Sequence, residues 1–440
     1  MLVRALAVCL LLAGSPAAAL AQPAPAATVP AGLASFDAAW QIIRDTHFDP
    51  AFNGVDWNRV RDELRPRAAV AGSTRELRAV IQQMLDRLGQ SHFALLPSES
   101  VEGAGRGGPR SGDLSGDPGL DVRLLDGRVV VTSVRPDGPA AAAGVRTGWF
   151  VQSIDGEAVA PLLARLPASL ATRLRHVEAW RTVTTRVRGR SGSTARVEFA
   201  DGTGRTLVRA IVRQPEPGDP VTVGNLPTFF VRVTTRAAQA PDGLKVGVIG
   251  FNVWMTPVDA LVGAAVDAWR GADGIILDLR GNPGGLAAML MGISGYFLDE
   301  PIVLGTMKTR ERELRFVANP RRVNAAGERV KPYAGPVAIL VDSMTGSASE
   351  CFAGGMQAIG RARVFGQPSM GQALPALFDR LPNGDVLLHA YGDFQTSRGT
   401  RLEGRGVVPD EMAPLSRDDL LAGRDLAMSR AVEWIRRSRR

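Results

Sequence analysis

Lysine and cysteine are both scarce in this chain of 440 residues. Lysine stands only at Lys245, Lys308 and Lys331, although lysine and arginine together number 52. The two cysteines are Cys9 and Cys351, and only Cys351 remains if an N-terminal signal is removed. An intrachain disulfide is then excluded from the mature protein, so packed cores must supply its stability. A chain of this length is long enough for two or three domains.

The basic residues are scattered, and against 44 acidic residues they leave a formal charge of only +8. A nucleic-acid-binding surface would need a stripe of basic side chains with aromatic residues among them. The sequence lacks such a stripe, so we expect no nucleic-acid partner. No stretch after residue 21 reaches about 18 apolar residues, so we expect no integral membrane span. We also expect neither a metal site nor a cofactor.

Residues 1–21 are typical of a secretory signal peptide. Arg4 supplies the positive charge, an apolar run follows over Ala5–Ala13, and the small-residue segment Ala19–Ala21 suits cleavage. We therefore expect export to the periplasm or the exterior. Residues 22–32 are rich in proline and alanine, and we expect them to be disordered.

Residues 33–98 are predicted to form a small helical domain. Apolar residues recur at helical spacing over Trp57–Ala69 and Thr74–Leu88. The domain ends in Ser91 and His92, just after a helix that a glycine terminates. A serine and a histidine at the exit of a helix are candidates for a catalytic site.

Residues 99–117 are rich in glycine and serine and are predicted to be a linker. Beyond them, a strand, a small-residue helical turn and a second strand are predicted at Val129–Val134, Pro139–Val145 and Trp149–Gly156. This order resembles a PDZ domain of the type found in exported bacterial proteases. We assign that PDZ-like β domain to residues 118–213.

The resemblance to a PDZ domain implies a peptide-binding loop at Gly119, Leu120, Asp121 and Val122. In PDZ domains the backbone amides of this loop bind a peptide C-terminus, and the peptide adds to a sheet edge. A predicted helical stretch at 160–182 interrupts the pattern before the last strands. Two interpretations stay open: a peptide-binding module and a spacer of the same shape.

Strands and helices alternate over residues 214–440, which predicts an α/β core with parallel strand pairing. Val246–Phe251 and Gly274–Arg280 are predicted to be buried strands, and the glycine-rich turn 281–285 follows the second one. A helix is predicted to follow the turn over Leu286–Leu298. Ligand sites collect at the carboxyl ends of such strands, and glycine lets the backbone approach a ligand closely. We therefore expect this turn to line a site.

A second turn, Gly346–Glu350, follows the apolar run Val337–Val341 and precedes a predicted helix at 351–359. A serine at such a turn has an exposed hydroxyl near the helix amides, which favour the oxyanion formed when a carbonyl is attacked. The alternative is that Ser347 or Ser349 only caps the helix, with Glu350 as an acid in its first turn. The turn alone does not separate a nucleophile from a cap.

Three segments together resemble the carboxyl-terminal-processing, or tail-specific, serine protease family: Leu277–Gly285, Gly346–Glu350 and Gly406–Asp410. With the PDZ-like region, the resemblance covers most of the mature chain. It implies an α/β multidomain protein with a protease core of the ClpP-like type. It also implies a serine-type endopeptidase that acts on polypeptides or their C-termini, with Ser347 as its nucleophile.

The sequence departs from that family at the general base. The family uses a lysine at the position where this chain has Gln372, and no lysine follows Lys331. A neutral amide accepts hydrogen bonds but is hardly a base. Either the protein is inactive, or another residue takes the proton of the serine.

The tricorn protease core, another branch of the family, uses a Ser-His pair and a distant glutamate. This sequence is similar to it at Ser91, His92 and Glu403. By that resemblance His92 takes the proton of Ser347, Ser91 orients the imidazole, and Glu403 holds the polar network or reads the substrate. Histidine suits the role because its ordinary pKa is near 6.5, and the rate should then fall below about pH 6.

The same resemblance implies an oxyanion hole formed by the N–H groups of Ala348 and Gly284. His389, within a predicted strand, is the second candidate base. A plain helix C-cap is the alternative role for His92.

Three functions stay compatible with these patterns. The first is an exported peptidase that cleaves extended or C-terminal regions of polypeptides. The second is a serine hydrolase of the same fold that acts on a non-peptide substrate, because a fold does not decide a substrate. The third is a catalytically inactive protein that binds peptides. The oligomeric state has no signature in the sequence.

Overall fold

The computed structural model describes residues 31–98, 116–168, 172–223, 228–240 and 243–438. The expected signal peptide at 1–21 lies outside these ranges, as do nearly all of 22–32 and most of the linker expected at 99–117. The α-helices of the described chain are α1 Ala31–Thr46, α2 Trp57–Ala69, α3 Thr74–Asp86, α4 Pro139–Ala142, α5 Val159–Ala164, α6 Thr172–Val187, α7 Pro257–Ala268, α8 Met289–Ser294, α9 Ala348–Ala358, α10 Arg417–Leu421 and α11 Leu426–Ser438. None of these helices is long and apolar enough to cross a lipid bilayer.

The strands form several separate sheets. They are β1 Ala94–Leu96, β2 Gly116–Asp117, β3 Leu120–Leu125, β4 Arg128–Val134, β5 Phe150–Ile154, β6 Glu157–Ala158, β7 Thr194–Ala200, β8 Thr206–Val212, β9 Gln214–Pro215, β10 Asp219–Val221, β11 Phe229–Val231, β12 Val233–Ala237, β13 Val246–Phe251, β14 Gly274–Asp278, β15 Ile302–Thr309, β16 Glu313–Ala318, β17 Val337–Val341, β18 Ala362–Gly366, β19 Ala376–Arg380, β20 Val386–Ala390, β21 Gly392–Thr396 and β22 Glu411–Met412. The fold is therefore mixed α/β.

The central sheet has the strand order β12-β13-β14-β17-β18-β22. Neighbours from β13 to β22 pair in parallel, which confirms the predicted pairing, and β12 is antiparallel at one edge. Strands β13 and β17 are buried along their whole length. Their continuous apolar runs follow from burial on both faces, because helices α7, α8 and α9 pack on one face and α11 packs on the other.

The N-terminal lobe consists of α1, α2, α3 and β1. Its core is shared with the β19–β20 hairpin, since Leu381 and Leu387 pack among its helices. β1 also pairs with β20, with Ala94 opposite Leu388. The helices expected over 33–98 are present, but their hydrophobic core is completed by residues almost 300 positions later in the chain.

A middle sheet has the strand order β3-β4-β5-β7-β8, and β6 pairs with β5. The helical stretch predicted at 160–182 is two helices, α5 and α6, and α6 packs along β3. Gly116 and Asp117, expected to end the linker, instead form the buried strand β2, which pairs with β9.

The helix after the glycine-rich turn begins at Met289, whereas the sequence predicts its start at Leu286. The Leu286 N–H donates to the Trp254 carbonyl at 2.8 Å, and Gly285 forms a parallel bridge with Trp254. This pairing anchors the glycine-rich turn to the core, and the chain then turns at Ala287 and Ala288 before the helix begins.

Candidate active site

Ser347 lies between β17 and α9, at the N-cap of the helix. The helix begins at Ala348, three residues earlier than predicted, and so its first amides lie beside the serine. Ser347 is fully buried and adopts φ 53° and ψ −120°. A non-glycine residue in a sparsely populated region of this kind costs about 1–3 kcal/mol and persists only where its surroundings hold it.

Two bonds from one backbone N–H hold Ser347 in this conformation. The Ser347 N–H donates to the Gln372 carbonyl at 2.9 Å and to Glu350 Oε2 at 3.0 Å. The preceding residue is held as well, because the Gly346 N–H donates to the Asn282 carbonyl at 3.0 Å. The turn is therefore fixed by segments that lie far apart in the sequence.

Ser349, the other candidate in this turn, has a different role. It lies inside helix α9, and its Oγ accepts a hydrogen bond from the Trp254 indole N–H at 2.8 Å. This bond satisfies a buried indole, so the residue ties the helix to the core. Of the two serines, only Ser347 occupies the strand-to-helix turn.

The glycine-rich turn lies directly against the serine. A Cβ atom at Gly284 would lie 2.6 Å from Ser347 Cβ and 3.0 Å from the Ala348 nitrogen, and its φ is +108°. Only glycine fits this position, because L side chains rarely adopt such a φ and the space is already filled. The expectation that this turn lines the site therefore agrees with the structure.

The two proposed oxyanion donors differ. Ala348 is the first residue of its helix, so its N–H has no carbonyl partner in the preceding turn of the helix. The Gly284 N–H, in contrast, donates to Asn282 Oδ1 at 3.0 Å. In this conformation the Gly284 N–H is already hydrogen-bonded to Asn282. Gly284 contributes to the site because it has no side chain, which lets the turn lie against Ser347.

A second group of polar residues contains Ser91, His92 and Glu403. The Ser91 N–H donates to Glu403 Oε1 at 2.9 Å, and the Ser91 hydroxyl donates to Glu403 Oε2 at 2.9 Å. His92 Nδ1 lies 2.7 Å from Ser91 Oγ. The structure therefore brings together three of the predicted site residues, two of which are separated by more than 300 positions.

This arrangement assigns the tautomer of the imidazole. When Glu403 is ionised, the Ser91 hydroxyl donates its single proton to it, and Ser91 Oγ then accepts the hydrogen from His92 Nδ1. A neutral ring that carries its proton on Nδ1 leaves the lone pair on Nε2. His92 is buried, with φ 60°, and its Nε2 is the nitrogen able to accept a proton.

Residues 371–373 join the two groups. The Gln372 carbonyl accepts from the Ser347 N–H, and the Ala373 N–H donates to Glu403 Oε2 at 2.9 Å. Burial raises the pKa of Glu403 above its ordinary value, and the three hydrogen-bond donors around it oppose that rise.

His389 and His47 have partners elsewhere. His389 Nε2 contacts Asp379 Oδ2 at 2.7 Å, and its Nδ1 contacts Thr46 Oγ1 at 3.1 Å, so both ring nitrogens are engaged. His47 is bonded through Nδ1 to the Asp49 carbonyl and through Nε2 to a glutamine side chain, and burial lowers its pKa. These contacts account for His47 within the N-terminal lobe and for His389 in the β19–β20 hairpin that packs against it.

The residues expected to bind peptide lie apart from this group. Gly119 is in a turn with φ +72°, and Leu120, Asp121 and Val122 begin the edge strand β3. The Asp121 carboxylate accepts from the Trp180 indole N–H of α6 at 2.8 Å.

Arg123, on the same strand, connects this region to the core. Its guanidinium bonds to Asp121 at 2.6 Å and to Asp342 at 2.8 Å. Asp342 in turn accepts from the Gly281 N–H at 2.9 Å, at the start of the glycine-rich turn.

Two residues of the site could not be recognised from the sequence alone. Glu350 was identified only as a first-turn acid, although its buried carboxylate accepts four hydrogen bonds. Asn282 is fully buried and bonds through both ends of its amide, to Gly284 and to the Phe251 carbonyl. The only signal for Asn282 in the sequence was its place in the glycine-rich turn 281–285.

Within the described ranges, no group of three or more histidine, cysteine, aspartate or glutamate side chains is arranged to hold a metal ion.

Comparison with known proteins gives two family matches. Residues 245–413 match the model of peptidase family S41, and residues 34–86 match the tricorn protease C1 domain. A carboxyl-terminal-processing protease of Picosynechococcus is 27% identical over 382 residues, covering 86% of this chain and 82% of that protein. The chloroplastic carboxyl-terminal-processing peptidase 2 of Arabidopsis thaliana is 25% identical, covering 86% of this chain and 68% of that protein.

Solved structures share the fold. The photosystem II D1 C-terminal processing protease superimposes with a TM-score of 0.58 at 24% identity, covering 90% of this chain and 98% of that one. Mature CPAF gives a TM-score of 0.58 at 13% identity, covering 92% and 96% of the two chains.

Proposed function

Because the chain belongs to peptidase family S41, the carboxyl-terminal-processing serine proteases, we propose that it cleaves extended or C-terminal regions of polypeptides with Ser347 as nucleophile and His92 as base. It is a serine-type peptidase. The observation that carries the catalytic assignment is the bond network of Ser91, His92 and Glu403, which puts the ring proton on Nδ1.

The proposed reaction runs in two steps. Ser347 Oγ attacks the scissile carbonyl carbon while its proton passes to His92 Nε2. The oxyanion is stabilised by the Ala348 N–H at the start of α9, where the helix dipole also favours negative charge. The charged imidazole then protonates the leaving amine as the acyl-enzyme forms, and a water molecule, activated by the same ring, releases the acyl group.

Glu403 and Ser91 orient the base in this scheme. Because the Glu403 carboxylate accepts a hydrogen bond from the Ser91 hydroxyl, Ser91 Oγ can accept a hydrogen bond from the imidazole N–H. The carboxylate also stabilises the imidazolium that forms in the first step, because opposite charges attract more strongly in a partly buried site. Gly284 can serve as a second oxyanion donor only when its bond to Asn282 opens.

The region 118–213 is proposed to be a PDZ-like module, with 33–98 as a helical domain and 214–440 as the protease core. In support, β3 is the end strand of its sheet and begins just after Gly119, so its outer edge, beside α6, could receive a substrate segment. The contact between Asp121 and Trp180 must then adjust, since α6 lies along the same edge. Export is proposed from residues 1–21, and an N-terminus at Gln22 in the exported protein would support it.

A fluorophosphonate probe tests the nucleophile. We expect the wild-type protein to be labelled and Ser347→Ala to be unlabelled, with turnover of an unfolded polypeptide lower by a factor on the order of 10⁶. Ser349→Ala is the matched control, because it removes a hydroxyl two residues away that bonds to Trp254, and its labelling should persist. Equal labelling of wild type and Ser347→Ala would contradict the assignment.

A pair of synthetic peptides tests the substrate class. Cleavage of a peptide with a free C-terminal carboxylate in preference to its C-terminal amide would support recognition of the chain end. Equal rates would restrict the proposal to cleavage of extended segments.

A further inference from the structure

Residues Gly371, Gln372 and Ala373, here called the bridging segment, use only backbone groups to join the two halves of the site. The N–H groups of Gly371 and Gln372 donate to the Glu350 carboxylate at 2.6 Å and 2.9 Å. The Gln372 carbonyl accepts from the Ser347 N–H, and the Ala373 N–H donates to Glu403. The segment therefore contacts the nucleophile on one side and the residue that holds the base on the other.

The Glu350 carboxylate is at the centre of these contacts. Its side chain is fully buried and accepts four hydrogen bonds, two at each oxygen. Oε1 accepts from the Ser369 hydroxyl at 2.5 Å and from the Gly371 N–H, and Oε2 accepts from the N–H groups of Ser347 and Gln372. Ser369 Oγ also accepts from the Val407 N–H at 2.6 Å, which extends the network toward the turn that carries Glu403.

We propose that Glu350 is a positioning residue of this peptidase: it binds the bridging segment to the Ser347 turn and so sets the place of the nucleophile relative to the base. This inference rests on the proposed function, since it takes Ser347 and His92 as the reacting pair. The bridging segment then acts as a spacer made of backbone groups. Glu350 does not touch substrate, and its effect passes through the position of Ser347.

The geometry requires the ionised carboxylate. All four neighbours are donors, so a protonated oxygen would turn a hydrogen toward another donor. Burial raises the pKa of Glu350 to about 7, while the four donors oppose that rise. At pH 8 the carboxylate is ionised, and this is the pH at which variants should be compared.

Glu350→Gln is the main test. Whichever way the amide is turned, its NH₂ group faces at least one backbone N–H, so at least one of the four hydrogen bonds is lost. We expect kcat to fall about 10²-fold, because a shift of the order of 1 Å in a catalytic group costs this much, while KM stays within about threefold. The rate of fluorophosphonate labelling should fall in parallel with kcat. A wild-type kcat in a folded variant would overturn the proposal.

Two further variants separate positioning from folding. Glu350→Asp keeps the charge but is one methylene shorter, and we expect a smaller loss, about tenfold. Ser369→Ala removes one donor and leaves the three backbone donors in place, and we expect a loss of less than about tenfold. The proposal fails if Glu350→Asp is as inactive as Glu350→Gln, or if the variants lower the melting temperature without changing kcat.

Asp385→Asn provides a matched control. Asp385 is also fully buried and accepts hydrogen bonds from Arg78 and from the Ser98 N–H, but it lies in the β19–β20 turn. We expect it to lower the melting temperature and to leave kcat near that of the wild type. A kcat loss equal to that of Glu350→Gln would assign the effect to general destabilisation and overturn the inference.

Failure of the proposed function has a different signature. In that case Ser347→Ala would keep its turnover, whatever Glu350→Gln does. If Ser347→Ala is inactive while Glu350→Gln turns over normally, only the positioning role is wrong.

Discussion

The proposed nucleophile, Ser347, and the proposed base, His92, are held in similar ways, but their carboxylate partners lie at very different distances along the chain. Ser347 and His92 both have positive φ angles, 53° and 60°, and each lies beside a glutamate that binds backbone N–H groups. The nucleophile turn is made by neighbouring elements, β17 and α9, with its glutamate three residues away. The proposed base, His92, depends on Ser91, which bonds to a glutamate 312 positions away. The carboxylate beside Ser347 is therefore local, although Gln372 and Asn282 also hold the turn, whereas the carboxylate beside the proposed base comes from a distant segment.

Among the tests of this comparison, we expect the largest effect when His92, the proposed base, is replaced by alanine. We expect kcat to fall by a factor on the order of 10⁴ to 10⁶, because Ser347 then has no group able to accept its proton. Steady-state turnover of an unfolded polypeptide measures the loss. The melting temperature should change little, and retained activity would show that another residue is the base.

Gly284→Ala tests the nucleophile side without removing a reacting group. The new Cβ would lie 2.6 Å from Ser347 Cβ, and φ at this position is +108°. We expect a loss of about 10²-fold or more in kcat, because the serine or the turn must move. Fluorophosphonate labelling rates report the effect. Gly360→Ala, at a glycine with positive φ and nothing within 4 Å of the new Cβ, controls for backbone strain and should keep its activity.

The pH dependence separates activity from stability. Below about pH 7 the Glu350 carboxylate becomes protonated, and a protonated imidazole cannot act as a base, so we expect kcat to fall as the pH is lowered, toward tenfold per pH unit. The folded pKa of Glu350 lies above its unfolded value, so its contribution to stability is present at low pH and is lost as the pH rises through about 7. Protonation of Glu350 therefore does not lower the stability of the fold at acidic pH. A pH–rate profile beside melting curves tests both statements, and a flat rate between pH 8 and 5 would contradict the first.

Gln372 gives the smallest expected effect. Its contacts with Ser347 and Glu350 are made by the backbone, which Gln372→Ala retains, so we expect most of the activity to remain. Gln372→Pro removes the N–H that donates to Glu350 and should reduce kcat far more. Turnover of the two variants should be compared at equal folded fraction. A large loss in Gln372→Ala would give the side chain a role that the backbone contacts do not explain.

The parallel strands and the two turns were predictable because buried apolar runs followed by Gly-Gly or Gly-Ser are local signals. The pairing of Ser91 with Glu403 was available only through a resemblance to a known family. Glu350 was recognised as a helix-start acid, but its burial depends on contacts with residues 369–372, which no local pattern reveals. The Gly284 N–H was assigned to the oxyanion, and the structure gives it to Asn282 instead. Competition among hydrogen-bond acceptors is decided by tertiary geometry, which a single sequence does not display.

The pairing of β1 with β20 has a consequence for biosynthesis. The lobe that carries the imidazole emerges first from the ribosome, but its hydrophobic interior is completed only by the hairpin at 376–390, and its glutamate partner comes later still. A nascent or truncated chain that ends before this hairpin would therefore lack a working proton acceptor. Contacts of such long range are slow to form, so we expect no proteolytic activity before the hairpin and Glu403 have been synthesised and have packed against the lobe.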